Sequence, residues 1–178
     1  MAPKKPILKA TIKKTGKPTK PGCVEPCAKK KKKKAKAPTA AELQKNKTVK
    51  KEIDKAWKDS KPGDPKLRHE EGGWIYRDSK TGAITTRRQA AGAQAGIDLS
   101  QPPEVKGSVV VGKFHTHPNP TSEGWNPGPS GSVGAAGGDI TVDAKHGVPD
   151  LIRADNGDYV SGPDSRRGGL GGGHGFPP

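Results

Sequence analysis

The stretch SVVVGKFHTHP, residues 108–118, is the most apolar run in the chain and ends in two histidines and a proline. Three valines followed by Phe114 predict a strand at the centre of a sheet. Because residues i and i+2 of a strand face the same side, His115 and His117 can converge on one metal ion. Catalytic zinc usually takes three protein ligands, so this pair predicts a metal site that needs one more. Acidic candidates for that ligand follow at Glu123, Asp139 and Asp143.

Shorter elements are predicted on both sides of this strand, where short apolar stretches alternate with turn-forming residues. In chain order these are a β-hairpin over 73–86, a short helix or a loop over 87–96, a loop over 118–138, a helix over 139–146 that ends at Gly147, and two strands over 148–154 and 158–161. Together they predict one small domain over residues 62–165, followed by a flexible Gly-rich tail over 166–178.

The charge of the chain is divided unevenly along its 178 residues, whose formal net charge is +15. Residues 1–61 carry 21 lysines against five acidic residues, which is +16, and residues 62–178 are almost neutral at −1. No apolar run approaches the roughly 20 residues that span a bilayer, which argues against an integral membrane protein. With only 29% hydrophobic residues, the chain also lacks the material for a large single-core enzyme.

Residues 1–38 are rich in lysine and proline and predict a disordered arm, because they cannot bury enough apolar surface to offset the entropy of ordering. Such an arm can attach to nucleic acid or another polyanion, or it can be a solvated linker. It contains no aromatic residue for base stacking, so binding would be independent of sequence and weakened by salt. Cys23 and Cys27 within it fit two free thiols or one small disulfide loop.

An amphipathic helix is predicted between the arm and the domain, within residues 39–61. Thr39 and Glu42 match a capping box, and Ile53 and Trp57 lie at helical spacing on a face that can dock onto the domain. The breaker KPGDP, residues 61–65, predicts the end of this helix near residue 59.

Residues 109–118 resemble the core of the JAMM (JAB/MPN-type) metalloproteases. The pattern of that family is an upstream glutamate, then His-x-His-Pro, then Ser-x-x-Asp. The chain resembles most closely the bacterial JAB-like domains of polymorphic toxins and secretion-system effectors, in which a glutamate precedes Gly-Gly and a strand, as in EEGGWIY, residues 70–76. The resemblance covers about residues 67–165 and leaves the lysine-rich third outside it.

The resemblance implies a small α/β (α+β) fold, a cytidine-deaminase-like or JAB-type mixed sheet with flanking helices. It assigns His115, His117 and Asp139 as ligands of Zn²⁺ and gives Glu70, or else Glu71, the task of activating water. The family's serine would stabilise the oxyanion, but its position here is Ala136, which leaves Ser130 or Ser132 as candidates. The loop 119–138 is also longer than the loop of the family.

By the same resemblance, the chain is expected to be a zinc-dependent hydrolase that cleaves a peptide or isopeptide bond in a protein substrate, as a bacterial toxin or effector domain. It would act in the cytoplasm or be exported by a non-classical secretion system. Two alternatives stay open, a non-catalytic metal-binding or interaction module and a polyanion-binding protein that acts through its lysine-rich arm. The sequence leaves the oligomeric state undetermined.

Overall fold

The computed structural model describes residues 36–131 and 138–163. The predicted tail 166–178, nearly all of the predicted arm 1–38, and Ser132 and Ala136 lie outside the described residues. The elements are the helices α1 (Ala40–Lys45), α2 (Lys47–Asp59) and α3 (Asp139–His146), a short 3-10 turn at Thr121–Glu123, and the strands β1 (Gly72–Asp78), β2 (Ile84–Arg88), β3 (Ser108–His117), β4 (Asp150–Ala154) and β5 (Gly157–Ser161).

The five strands form one mixed sheet in the order β2-β1-β3-β4-β5. Strands β3 and β4 are parallel, and every other neighbouring pair is antiparallel. The parallel pair needs a crossover connection, and helix α3 lies within it. The fold is therefore mixed α/β with a sheet flanked by helices, and the predicted central strand, the β1/β2 hairpin and the helix that ends at Gly147 are all confirmed.

The single helix expected up to residue 59 is two helices in the structure. The capping box of Thr39 and Glu42 is present at the start of α1, as predicted. Asn46 then interrupts the helix with an extended backbone, and its side-chain oxygen accepts hydrogen bonds from the amides of Thr48 and Val49. An asparagine oxygen that satisfies the free amides of a new first turn stabilises a second helix start, which is why the chain breaks there.

Both helices pack on one face of the sheet and complete its main core. Leu43, Val49 and Ile53 are buried against Ile75 and Phe114 of the central strands. The described residues from Lys36 onward belong to one compact unit, in which α1 and α2 share a core with the sheet. Trp57 is only half-buried, whereas Ile53 is buried as expected.

A β-bulge in β3 determines which side chains face away from these helices. The pairing of β1 with β3 shifts by one residue between Ile75 and Tyr76, so that Val111 is left unpaired. Val111 packs in the helix-side core, and a Cβ on Gly112 would meet Leu43 on the same side. Because Val111 and Gly112 both face the helices, the alternation of side chains between the two faces of the sheet is reversed after them. His115 and His117 therefore point to the face of the sheet that does not carry α1 and α2.

Within the described part of the chain, none of the helices has the length and apolarity needed to cross a bilayer.

Candidate metal centre

Three side chains with metal-binding atoms converge where β3 ends and α3 begins. Nε2 of His115 lies 3.0 Å from Nε2 of His117 and 3.2 Å from Oδ1 of Asp139. Nε2 of His117 lies 3.5 Å from Oδ2 of Asp139. His115 is fully buried and the other two are nearly so. Two imidazoles and a carboxylate at such mutual distances could hold a metal ion.

In each imidazole, Nδ1 faces away from the other histidine and is hydrogen-bonded to an oxygen. Nδ1 of His115 lies 3.2 Å from Oδ1 of Asp150, and Nδ1 of His117 lies 3.2 Å from the carbonyl oxygen of Pro127. Because both oxygens can only accept, Nδ1 of each ring donates to them, and Nε2 is the nitrogen that faces Asp139 and would bind a metal ion. Metal-binding histidines are commonly oriented in this way.

Asp139 is held by Ser130, although the two residues are nine positions apart. The Ser130 amide donates to Oδ2 of Asp139 at 2.7 Å and the Ser130 hydroxyl donates to the same oxygen at 2.9 Å. Gly138 permits this approach, since a Cβ there would lie 2.9 Å from the Ser130 carbonyl oxygen and its φ is +90°. Ser130 and Asp139, which the sequence singled out, thus both lie at the site. The hydrogen bonds described for Ser130 join it to the backbone and side chain of Asp139 and to the backbone of Ile140.

Glu70 reaches the same place from the segment before β1. A side-chain oxygen of Glu70 and donor nitrogens of His115 and His117 all lie within 4.8 Å of one another. The Glu70 backbone is fixed by hydrogen bonds of 2.8 Å to Ala93 and from Gly92. Burial raises the pKa of Glu70, which the nearby His115 and His117 partly offset. A carboxylate with a raised pKa is suited to take up a proton near neutral pH.

Glu71 is directed elsewhere. It forms an ion pair with Arg88, and its Oε1 lies 3.0 Å from Nε2 of His69. Of the two glutamates that the sequence left open, only Glu70 lies with the histidines in the described structure.

The two other acidic candidates for the third ligand have partners of their own. Glu123 forms an ion pair of 2.8 Å with Arg68, and Asp143 forms one of 2.8 Å with Lys113. Asp139 is therefore the downstream carboxylate that the fold brings to both histidines.

A buried network behind His115 was not anticipated from the sequence. Lys113 lies 2.6 Å from Oδ2 of Asp150 and 2.8 Å from Oδ1 of Asp143, and all three side chains are almost completely buried. Ser161 donates a hydrogen bond to Asp143. A lysine within the most apolar run of the chain was the available signal, because a buried lysine requires carboxylate partners.

The site is rich in negative charge. Burial disfavours a charged imidazole, yet Asp150 and Asp139 outweigh this effect and raise the pKa of His115. Burial likewise disfavours a charged Asp139, yet His115 and His117 hold the pKa of that carboxyl well below its usual range. The His115 shift arises because two carboxylates face its ring, and the Asp139 shift arises because two imidazoles face its carboxyl group. Such surroundings attract a cation.

A cleft of about 440 Å³ opens over these donors. Its lining includes Glu70, His117 and Asp139 together with Asn119 and Trp125. The Trp125 side chain is 41% exposed in a loop that follows β3. A ligand in this cleft can reach both Glu70 and the convergent donors.

No family model, curated protein or solved structure matches this chain.

Proposed function

We propose that the chain is a zinc-dependent hydrolase of the JAMM type, built on a cytidine-deaminase-like sheet, that cleaves a peptide or isopeptide bond as a bacterial toxin or effector domain. The observation that carries the proposal is the convergence of His115, His117 and Asp139, with Glu70 beside them, at the floor of an open cleft.

The spacing of the donors supports zinc as the metal. Four ligands arranged tetrahedrally around zinc at about 2.0–2.1 Å lie roughly 3.3 Å from one another. The two Nε2 atoms lie 3.0 Å apart, and the Asp139 carboxylate lies 3.2 Å from His115 through Oδ1 and 3.5 Å from His117 through Oδ2, all close to this spacing. Two nitrogens and one oxygen are also a typical ligand set for catalytic zinc, with a fourth position open to the cleft.

The residues around the donors suit amide hydrolysis. A zinc ion bound there supplies a Lewis acid, which makes water more acidic and polarises a carbonyl group. The Glu70 carboxylate takes one proton from the attacking water and then delivers it to the leaving nitrogen as the carbon–nitrogen bond breaks. Ser130 holds Asp139 through its amide and hydroxyl groups, so we assign it to positioning this ligand.

The cleft favours a peptide substrate. Apolar surface from Leu99, Ile97 and Trp125 lies beside the side-chain amides of Asn119 and Asn126. The Asn119 amide is bonded to Gln94 and the Asn126 oxygen to the Gly128 amide, so the apolar surface is what suits the side chains of a peptide.

The proposal is tested by replacing Glu70 in the full chain. Zinc-loaded wild type is assayed against a broad set of fluorogenic peptides and isopeptide-linked lysine peptides, beside Glu70→Gln and the matched control Glu71→Gln. We expect Glu70→Gln to keep its zinc and to lose about 10²- to 10⁴-fold in rate, whereas Glu71→Gln retains activity.

Full activity of Glu70→Gln at equal zinc content would refute the role of Glu70. A zinc-loaded wild type that cleaves none of these substrates would instead favour a non-catalytic metal-binding module.

A second candidate function is polyanion binding, which the charges of α2 favour. The exposed lysines of α2 are Lys47, Lys50, Lys51, Lys55 and Lys58. The acidic residues of the same helix pair with arginines of the sheet, Glu52 and Asp59 with Arg88 and Asp54 with Arg153. The outer face of α2 is therefore basic and lies on the side of the sheet away from the metal site.

We propose that this face and the lysine-rich residues 1–38 attach the protein to nucleic acid. DNA affinity would be measured against salt for the full chain, for a chain without residues 1–35, and for a variant with the five α2 lysines changed to glutamine. Each lost phosphate contact should reduce the salt slope by about 0.9. Unchanged slopes in both variants would remove this candidate.

A further inference from the structure

Lys113 contacts carboxylates that lead to two of the candidate ligands, His115 and Asp139, but is not itself a candidate ligand. It lies two residues before His115 on the same side of β3, and its register partner on the parallel strand β4 is Asp150. Its ammonium group lies between the carboxylates of Asp143 and Asp150, and the exposed fraction of its side chain is 1%.

The first chain of contacts from Lys113 runs through Asp150 to His115. Asp150 uses Oδ2 for the Lys113 ammonium at 2.6 Å and Oδ1 for the Nδ1–H group of His115 at 3.2 Å. A carboxylate that is fixed at one oxygen holds the donor on the other in one orientation. Lys113 thus fixes the carboxylate whose other oxygen, Oδ1, orients the ring of His115.

The second chain of contacts from Lys113 runs through Asp143 to the helix that carries Asp139. Asp143 lies one helical turn after Asp139 in α3, so the two side chains are on the same face of that helix. Lys113 contacts Asp143 at 2.8 Å, and Ser161 of β5 donates a hydrogen bond to it as well. These contacts hold the start of α3, and with it Asp139, against the end of β3.

Stability alone does not account for such a network. Burying an ammonium group and two carboxylates carries a desolvation penalty, and apolar residues of similar volume often give equal or greater stability. What a buried polar network adds is one defined geometry.

We propose that Lys113, Asp143 and Asp150 form a positioning network that orients His115 and places Asp139, so that metal affinity depends on Lys113 although it does not touch the metal. This inference rests on the metal centre of the proposed function. It predicts that removing the network weakens metal binding even where the fold is retained.

The test compares two network variants of the full chain with a stability control. Lys113→Met removes the cation, and Lys113→Met/Asp143→Leu replaces the ion pair by apolar side chains, which protects the test if the single variant fails to fold. Ile53→Ala is the control, because it creates a cavity in the core on the opposite face of the sheet. For each protein we would measure unfolding in urea, zinc affinity by competition with a chelator, and the visible absorption spectrum after loading with Co²⁺.

The network variants are expected to bind zinc about 10- to 100-fold more weakly than wild type and to show a changed Co²⁺ spectrum. Ile53→Ala should lose stability yet keep the wild-type affinity and spectrum. Wild-type affinity and spectrum in the folded double variant would overturn this inference alone. A wild-type chain that binds no zinc would overturn it together with the proposed metal centre.

Discussion

Replacing Gly72 by alanine tests how closely β1 must approach the candidate metal centre. Gly72 is the register partner of His115 and lies two residues after Glu70. A Cβ at this position would lie 2.6 Å from the Phe114 carbonyl oxygen and 2.9 Å from Cβ of His115. Neither neighbour can rotate away, because one is backbone and the other is the root of a buried side chain, so the two strands must separate locally.

The size of the effect follows from this overlap. Forcing one methyl group into a packed site costs about 1–3 kcal/mol. For a domain of this size we expect the melting temperature to fall by roughly 3–15 °C. The separation also moves His115 away from Glu70, and a displacement of about 1 Å at a catalytic site can cost on the order of 10²-fold in rate.

The assay compares Gly72→Ala with Gly63→Ala in the full chain. A Cβ on Gly63 meets nothing within 4 Å, so this control introduces the same methyl group without an overlap. Thermal unfolding and zinc affinity by chelator competition would be measured for both. Loss of stability and of zinc affinity is expected only in Gly72→Ala, and wild-type values for that variant would refute the close approach of β1 to His115.

Other predictions concern Asp139, the helix-side core and the metal. Ser130→Ala should weaken zinc binding about 10-fold, because Asp139 loses one of its two donors while the Ser130 amide remains; a loss of rate at unchanged zinc affinity would instead indicate an oxyanion-binding hydroxyl. Leu43→Ala should lower the free energy of unfolding in urea by about 2–5 kcal/mol, since Leu43 is buried in the core that α1 shares with the sheet, and a change below about 0.5 kcal/mol would contradict that core. Zinc at 100 times its dissociation constant should raise the free energy of unfolding by about 2.7 kcal/mol, and a chelator should abolish the gain; equal stability with and without zinc would contradict binding to the native state.

Local sequence signals were sufficient for the main elements of the fold. The valines before Phe114 indicated the central strand, and Thr39 with Glu42 indicated the start of the first helix. Gly147 ends α3 in the left-handed conformation that a C-terminal glycine commonly adopts. Each of these signals depends on the conformation of a few neighbouring residues, and so it can be read without knowing the rest of the fold.

The break between α1 and α2 at Asn46 could not be predicted from such local signals. Asparagine is tolerated inside a helix, and it caps a new helix only if the chain turns there. The turn lets both Leu43 and Val49 pack against the sheet, which is a tertiary requirement.

In the candidate site, too, some features follow from local sequence and others depend on the tertiary structure. The His-x-His spacing was enough to predict two imidazoles on one side of a strand, but the side itself depends on the bulge at Val111. The choice between Glu70 and Glu71 depends on how the segment before β1 pairs with residues 92 and 93.

The network around Lys113 lies beyond sequence reasoning for a different reason. Its carboxylates come from α3 and β4, and they meet the lysine only through the parallel pairing of β3 with β4. A buried lysine indicates that a partner exists, but it does not identify the partner.

The most direct test of a metal centre formed by His115, His117 and Asp139 is the zinc content of the purified full chain. About one zinc per chain is predicted for wild type, because these three residues form a single site. His117→Ala should lose that zinc, because two protein donors remain. A wild-type chain without zinc, or a folded His117→Ala variant that retains it, would contradict the account.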